Sequence, residues 1–348
     1  MTGFITRCLS RRTVLAGAGA ALAAPLIARV TAAQGQNPQL KIGLLRAPAA
    51  GVISIGEKNG AFDKAGVALE TVLFASAAGP KIIQALGGEA IELSFVNSTA
   101  ALLALSSGAV PLRIISIPTD PSTLYALISR EGIETVDQLA GKKVAATEGT
   151  ALHYFLARVL AKHGMDLSDI EFVNLPAAEG QSAFVAGRVD AIVPSVNGRF
   201  YLMNTKEDAR ELFTYDGWAK EPAAQSFRNY DLFVTTDKVV EAKRDALAGF
   251  LAGYHGGAVP YLQDGATRQE ALARITEYVN TEQKNPTDPT IMSQIIENSE
   301  FYDVAAAQTI MGSDDFRASL ETQVKFFTDL GRISKAPDLN KAIVSDLL

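Results

Sequence analysis

Four turns of the sequence place small hydroxyl, amide or glycine residues directly after short apolar segments. Their members are Ser76, Ala77 and Gly79; Asn97, Ser98 and Thr99; Thr147, Glu148 and Thr150; and Ser195 and Asn197. Where such a turn leads from a strand into a helix, the first N–H groups of the helix are unpaired and attract anions. The set therefore predicts recognition of a small anion. Ser, Thr and Asn are also good helix N-caps, so each turn alone has a second interpretation as a cap.

Charged and aromatic residues near these turns add further candidates. Arg46 follows the first predicted strand, where a guanidinium can grip a carboxylate or a sulfonate, and Arg199 follows the fourth turn. Glu148 conflicts with a bound anion, so it either pairs with an arginine or meets the amino group of a zwitterion, and the sequence leaves both open. Trp218 lies in a loop that we expect to close over a cleft or simply to pack against its surroundings.

Catalysis has little support in the sequence. His153, His163 and His255 lack the spacing of metal ligands, and Cys8 is the sole cysteine. Nucleophile-elbow, zinc-protease, phosphate-loop and dinucleotide-binding motifs are absent from the sequence. We therefore predict a binding protein that is not an enzyme, with no catalytic residues, metal or cofactor. An exported enzyme that uses the same cleft is the alternative.

The turns belong to an alternation of strands and helices that predicts an α/β fold with mostly parallel sheets. We expect one lobe from residues 38–123 plus 236–348 and a second lobe from residues 124–235. Two segments must then cross between the lobes, and Leu124–Ser129 and Tyr230–Thr235 are the candidates. Two crossings make a hinge, and ligands favour the cleft that such lobes enclose.

The N-terminus has the parts of an export signal in the expected order. Ser10, Arg11 and Arg12 precede the apolar stretch 14–27, and small residues follow around Ala32 and Ala33. This pattern predicts a twin-arginine signal that engages the Tat translocase and is cleaved near Ala32–Ala33, which leaves the product in the periplasm.

Removal of residues 1–33 changes the charge and the cysteine content. The whole chain has a formal net charge of −6, and loss of four arginines leaves 28 basic against 38 acidic residues, a net charge of −10. That acidity argues against nucleic acid and anionic membranes as partners. The predicted product also lacks cysteine and therefore disulfides.

Several segments resemble a known family. The stretch Gly56–Phe62 with Ala65–Val67, then Ile83–Glu89, Asp137–Ala145 and Ala183–Ala191, is similar to the corresponding parts of solute-binding proteins of nitrate/sulfonate/taurine-type ABC importers. The similar segments occur in the family's order between about residues 40 and 235. Each segment is weak alone, and together they are fairly specific for the family although not for a ligand.

The resemblance implies a type II periplasmic-binding-protein fold, in which two α/β lobes joined by two crossover strands close on a small-molecule ligand. It also implies a monomer that delivers this ligand to an ABC permease in the inner membrane. The family's ligand loops correspond here to Arg46–Gly51, Ser76–Gly79, Asn97–Thr99, Thr147–Thr150 and Ser195–Asn197. Sulfonates, including taurine, carboxylates and similar small acids are the leading ligands, whereas Glu148 disfavours nitrate. A ligand sensor docked on a membrane receptor is a further alternative.

Overall fold

A computed structural model describes residues 37–74, 79–215, 228–281 and 286–348. The predicted export signal, the candidate residues Ser76 and Ala77, and Trp218 lie outside these described residues. The described residues form a mixed α/β fold built on two sheets. The α/β fold class predicted from the alternating pattern is thus confirmed.

The first sheet has six strands in the order β11-β4-β10-β3-β1-β2. The strands are β1 (Gln39–Leu45), β2 (Ala68–Phe74), β3 (Leu93–Asn97), β4 (Leu112–Asp120), β10 (Asp231–Thr236) and β11 (Glu300–Phe301). Strand β1 pairs in parallel with β2 and β3, whereas β10 runs antiparallel between β3 and β4.

The second sheet has five strands in the order β7-β6-β8-β5-β9. The strands are β5 (Ala126–Arg130), β6 (Lys143–Ala146), β7 (Glu171–Asn174), β8 (Ala191–Ile192) and β9 (Ala209–Thr214). Strand β6 pairs in parallel with β7 and β8, and β5 pairs antiparallel with β8 and β9. Among the described strands, β10 and β11 run opposite to the others in the first sheet, and β5 runs opposite to the others in the second sheet.

Helices follow most strands and cover the sheets. In chain order they are α1 (Pro48–Lys58), α2 (Ala61–Lys64), α3 (Gly79–Gly87), α4 (Ser98–Ser107), α5 (Ala151–Lys162), α6 (Ala177–Val185), α7 (Val196–Thr205), α8 (Asp237–Ala242), α9 (Arg244–Gly253), α10 (Val259–Gln263), α11 (Arg268–Asn280), α12 (Pro289–Glu297), α13 (Val304–Met311), α14 (Asp314–Asp329) and α15 (Leu339–Ala342). A π-helical segment, Tyr254–Ala258, joins α9 to α10. Among these described helices, none is both long enough and apolar enough to cross a membrane.

Alternate residues of the first sheet enter two separate cores. Phe95 and Phe233 belong to the core under α1, α9 and α11, whereas Val96 and Leu232 belong to the core under α3, α4 and α14. This alternation follows from the two-residue period of a strand with both faces covered.

The crossing segments differ in part from the expectation. The segment Leu124–Ser129 does lead into the second sheet as β5, but Tyr230–Thr235 becomes β10 of the first sheet. The expected end of the second lobe at residue 235 thus included a strand that pairs with β3 and β4. Its alternating apolar residues fill the two cores of the first sheet, which explains this placement.

We expect Gly51→Val to lower the free energy of unfolding by about 1–3 kcal/mol, because the side chain would overfill a packed contact. A Cβ atom at Gly51 would lie 2.8 Å from the Cγ2 atom of Ile275 in α11. Gly265→Val is the matched control, since a Cβ there meets no atom within 4 Å. Urea unfolding measures both, and equal stability of the two variants would contradict the close approach of α1 and α11.

Candidate functional site

A cavity of about 540 Å³ lies where turns from the two sheets meet. Gly79, Asn97 and Thr99 line it from the first sheet, and Gly149 and Thr150 line it from the second. Most of the remaining wall is apolar and includes Leu45, Ile83, Val96, Ala100 and Leu103. The structure thus brings together members of three predicted turns around a space that suits a small, partly apolar molecule.

A larger surface depression, of about 730 Å³, lies elsewhere and is bordered by Asn59, Lys64 and Tyr261. It is open to solvent and contains none of the predicted turns. The strand-to-helix turns, whose helix N-termini favour a bound anion, border the smaller cavity and not this depression. The smaller cavity is therefore the better candidate site.

The second turn is held by a buried network of side chains. Asn97 caps α4, and its Oδ1 accepts a hydrogen bond of 2.9 Å from the N–H three residues on. The hydroxyls of Ser98 and Thr99 donate to Gln323 Oε1 over 3.0 and 3.1 Å, and Asn229 Nδ2 donates to Thr99 Oγ1 over 2.8 Å. These side chains consequently fix the turn in place. The N–H of Ser98 also donates to Tyr230 O over 2.7 Å, so the turn attracts an anion mainly through the partial positive charge at the N-terminus of α4.

The third turn is organised in the same way. Thr150 caps α5, its Oγ1 accepting from Leu152 N over 3.3 Å and donating to Thr147 O over 2.6 Å. The hydroxyl of Thr147 donates to Leu175 O over 2.9 Å. Gly149 has a φ of +73°, a backbone conformation that favours glycine. The predicted hydroxyls again hold the turn, with Thr150 at the cavity wall.

Glu148 pairs with an arginine, which was one of the two alternatives that the sequence left open. Arg332 Nη2 lies 2.6 Å from Glu148 Oε1, and Asn174 Nδ2 donates to Oε2 over 3.0 Å. The hydrogen bond and the charge of Arg332 lower the pKa of Glu148. Because Arg332 follows α14 and Glu148 follows β6, this ion pair joins the helices of the first sheet to the second sheet.

Aromatic side chains extend the contact between the two halves. His153 stacks on Phe172 and meets Phe326 edge-on, with ring centroids 4.9 and 5.5 Å apart. Tyr154 also packs against Phe326 and Phe327 at the end of α14. Burial lowers the pKa of His153, so its ring is neutral at pH 7 and suits this apolar contact.

The fourth turn contacts the first-sheet side through one amide. Ser195 caps α7, and its Oγ accepts a hydrogen bond of 3.2 Å from Gly198 N. Asn197 Nδ2 donates to Thr287 Oγ1 over 3.3 Å. Neither Ser195 nor Asn197 is among the described residues that line the 540 Å³ cavity.

The remaining candidates have structural partners. Arg199 forms an ion pair of 2.7 Å with Glu211 and donates to Thr123 O over 3.0 Å. Arg46 Nη1 donates to Tyr278 O over 2.8 Å, and its guanidinium lies 5.5 Å from the centre of that tyrosine ring. Gly51 is buried inside α1, away from the first loop. These contacts explain the positions of Arg199, Arg46 and Gly51 without any contact to a ligand.

The sequence reasoning missed Asp231, the first residue of β10. Asp231 lies directly across from Asn97 of β3 in the antiparallel pairing. Burial, and then the nearby carboxylate of Asp120, raise the pKa of Asp231 to about 7. An aspartate that begins an otherwise apolar strand was the available signal, but its location depended on knowing that β10 returns to the first sheet.

Asp120, by contrast, has a counter-charge. Arg228 Nη1 lies 2.7 Å from Asp120 Oδ2 and 3.0 Å from Glu300 Oε2. The N–H of Ser122 donates to Asp120 Oδ1 over 2.8 Å. The cluster ties the end of β4 to the chain that enters β10, at the place where the chain crosses between sheets.

A family model confirms the resemblance found in the sequence. The model described as NMT1/THI5 like matches residues 48–264, which is more than half of the chain. The chain belongs to the NMT1/THI5-like family. The match begins at the N-terminus of α1 and includes the whole second sheet.

Two curated relatives match over shorter stretches. A candidate binding protein of Brucella abortus (strain 2308) is 29% identical over 140 residues, 40% of this chain and 42% of that protein. A candidate aliphatic sulfonates-binding protein of Escherichia coli (strain K12) is 32% identical over 115 residues, 33% of this chain and 36% of that protein. The matches thus span less than half the length of these relatives.

Solved structures share the fold over most of the chain. The periplasmic aliphatic sulphonate binding protein SsuA from Escherichia coli has a TM-score of 0.72 at 18% identity, with 88% of this chain and 92% of that chain covered. The alkanesulfonate-binding protein SsuA from Xanthomonas axonopodis pv. citri, bound to MOPS, has a TM-score of 0.68 at 19% identity, with coverages of 88% and 98%. The desulfurization enzyme DSZB has a TM-score of 0.66 at 12% identity, with coverages of 89% and 97%. At these identities the likeness establishes the periplasmic-binding-protein fold alone.

We expect Arg332→Gln to enlarge the radius of gyration of the ligand-free protein in small-angle X-ray scattering. Loss of the guanidinium breaks the ion pair with Glu148 that joins the two halves. Lys325→Gln is the matched control, because Lys325 pairs with Asp329 within the same helix α14. An unchanged radius for Arg332→Gln would mean that the ion pair does not hold the halves together.

Proposed function

We propose that the protein is the solute-binding component of an ABC importer and holds a small organic acid in the 540 Å³ cavity. The observation that carries this proposal is the convergence of the N-termini of α4 and α5, from two different sheets, on one cavity. Each terminus presents the partial positive charge of a helix to an acidic group. Gly79 adds the N-terminus of α3 on the same wall.

The cavity wall supports a ligand that has both an acidic and an apolar part. The acid lies at the turns that contain Asn97, Thr99 and Thr150, and the hydrocarbon part lies against Ile83, Leu103 and their apolar neighbours. Burial of each methylene group contributes about 0.8 kcal/mol. Sulfonates are the leading class, since the curated Escherichia coli relative is named for aliphatic sulfonates. Carboxylates follow, and a bare inorganic anion such as nitrate suits the apolar wall less well.

The same proposal covers location and movement. Residues 1–33 act as a twin-arginine signal for the Tat translocase, and the monomer that remains in the periplasm delivers its ligand to an inner-membrane permease. The first lobe contains β10 together with the helical tail, and the second lobe ends before it. Closure is a hinge rotation at the crossing segments. The contacts of Glu148 with Arg332 and of Asn197 with Thr287 join the two halves and favour the closed arrangement both with and without a ligand.

The proposal includes no catalytic step. An enzyme that uses the same cleft would convert its ligand, whereas a carrier returns it unchanged. Recovery of the ligand from the complex, followed by mass spectrometry, distinguishes the two functions.

We expect alkanesulfonates of three to six carbons to raise the melting temperature, and alcohols of equal length not to do so. At about 100 times the dissociation constant, a ligand stabilises the native state by roughly 2.7 kcal/mol. Ala100→Trp, which fills the cavity from α4, should weaken sulfonate binding at least about tenfold, which corresponds to about 1.4 kcal/mol.

Ala305→Trp is the matched control, because Ala305 lies exposed on helix α13 away from the cavity. Isothermal titration calorimetry measures both variants. Wild-type affinity in Ala100→Trp, or equal stabilisation by alcohols and sulfonates, would contradict the proposed site.

A further inference from the structure

His153 is a buried polar side chain that takes no part in the proposed contacts with the ligand. It lies in the first turn of α5, the helix that Thr150 caps, and only 2% of its surface is exposed. The N–H of Gly149 donates to His153 Nδ1 over 3.3 Å. Gly149 and Thr150 line the 540 Å³ cavity. His153 therefore lies behind the third turn and holds its backbone at the cavity wall.

The hydrogen bond from Gly149 requires a neutral imidazole ring. A neutral ring has one acceptor nitrogen and one donor nitrogen, whereas a protonated ring has two donors. Because Nδ1 accepts from Gly149, the hydrogen of the neutral ring is assigned to Nε2. Nε2 is buried and has no hydrogen-bond partner in the part of the chain that the structure describes. Protonation would therefore turn Nδ1 into a donor that faces the Gly149 N–H, and neither ring nitrogen would have an acceptor.

The His153 ring lies between the two halves of the molecule. Phe172 of β7 stacks on it from the second sheet, and Phe326 of α14 meets it edge-on from the side of the first sheet. The next residue, Tyr154, packs in one apolar cluster with Leu103 of α4, which lines the cavity. A movement of this ring would thus disturb both the contact between the halves and the cavity wall.

Burial is the largest cause that lowers the pKa of His153 below its usual value of 6.5. Among the described residues, the charged groups that act on the ring are Glu148 before α5, which favours the charged ring, and Arg332 after α14, which disfavours it. These two side chains form an ion pair of 2.6 Å, so their effects on the ring oppose each other. The arrangement around His153 is therefore stable above about pH 6.5 and loses stability as the pH falls.

We propose that His153 is a positioning residue of the third turn and supports ligand binding only while its ring is neutral. The inference rests on the proposed function, to which it adds control by pH. Protonation of the ring breaks its hydrogen bond with Gly149 and disturbs the aromatic contact between the halves. Affinity for the small acid therefore falls as the medium becomes acidic, although a sulfonate itself stays ionised.

Isothermal titration calorimetry with butanesulfonate at pH 7.5 and 5.0, at fixed salt, tests the inference in the wild-type protein. We expect the affinity at pH 5.0 to be at least about threefold lower, and at most about thirtyfold lower, which is the limit for a ring of ordinary pKa that must lose its proton on binding. Glu148 stays charged at both pH values, because the hydrogen bond and the charge of Arg332 lower its pKa. The ion pair beside the ring is therefore constant in the comparison.

Two substitutions at His153 separate its acceptor nitrogen from its packing. In His153→Asn an amide oxygen takes the place of Nδ1 and is not protonated in this range. This variant should retain most of the affinity at pH 7.5 and lose the pH dependence. His153→Phe keeps an aromatic ring without an acceptor, and it should bind more weakly than the wild type at pH 7.5, again without pH dependence.

His163→Asn is the matched control, since His163 is an exposed residue at the C-terminus of the same helix. It should retain the pH dependence of the wild-type protein. The comparison is needed because Asp231, whose pKa is raised to about 7 by burial and then by Asp120, also titrates in this interval. A pH dependence that disappears in His153→Asn and persists in His163→Asn is assigned to His153.

The amide of Gly149 provides a readout that needs no ligand. In the ligand-free wild type, its ¹⁵N–¹H resonance should shift as the His153 ring titrates, with a midpoint below pH 6.5 because burial lowers the pKa of the ring. The same shift should be absent from His153→Asn and present in His163→Asn.

The outcomes separate this inference from the proposed function. Equal affinity of the wild type at both pH values, or a pH dependence that persists in His153→Asn, overturns the positioning role and leaves the sulfonate site standing. Failure of butanesulfonate to bind at pH 7.5 overturns the sulfonate site, and the Gly149 resonance then decides the positioning role by itself. A Gly149 amide that does not respond while the ring titrates overturns that role.

Discussion

The insertion of β10 between β3 and β4 is the constraint on which the rest of the structure depends. Its backbone is hydrogen-bonded on both sides, and its alternate side chains enter both cores of the first sheet. Phe233 meets Phe250 and Tyr254 with ring centroids 5.0 and 4.9 Å apart, so the strand also anchors α9 and the π-helical segment. The position of β10 thereby determines where the helical tail packs.

In the candidate site, the side chains of the α4 turn hold the backbone in position rather than face the ligand. Gln323, buried in α14, accepts hydrogen bonds from two hydroxyls of the α4 turn, and Asn229 donates to both Thr99 and Gln323. A satisfied network of this kind rigidifies its surroundings, because each member loses a partner if another moves. The α4 turn is therefore already held in position before a ligand arrives. Ligand binding then loses no free energy to the ordering of this turn.

The local sequence pattern indicates most of the strands. The remaining elements depend on pairing between residues that are far apart in the sequence. The strand Ala68–Phe74 can be recognised from the sequence, since its apolar residues stand between clear breaks. The strand Ala209–Thr214 is hard to recognise because charged residues, Arg210 and Glu211, stand near its start, as suits an edge position in the sheet. Helix α1 begins at Pro48, inside the segment Arg46–Gly51 that was expected to be a ligand loop, because proline is compatible with the first turn of a helix.

The candidate site likewise has residues that the sequence identifies and residues whose partners only the fold reveals. Four residues that line the cavity were recognisable in the sequence because they follow strands. They are Gly79, Asn97, Thr99 and Thr150. The partner of Glu148 lies 184 residues away, so the sequence alone left its role open. The raised pKa of Asp231 depends on its burial and on Asp120, which only the fold brings near it.

The order of strands along the chain has a consequence for how the molecule folds. All five strands of the second sheet come from one continuous stretch of the chain. The first sheet instead combines strands from distant parts of the chain, from β1 to β11, and includes a bridge between Ile114 and Ile343. The contact between Asn229 and Thr99 closes a loop of 130 residues. The chain loses entropy when a long loop closes, before the contacts that stabilise the closed loop have formed. Contacts between distant residues therefore slow folding. We therefore expect the second sheet to form early and the floor of the cleft to be completed last.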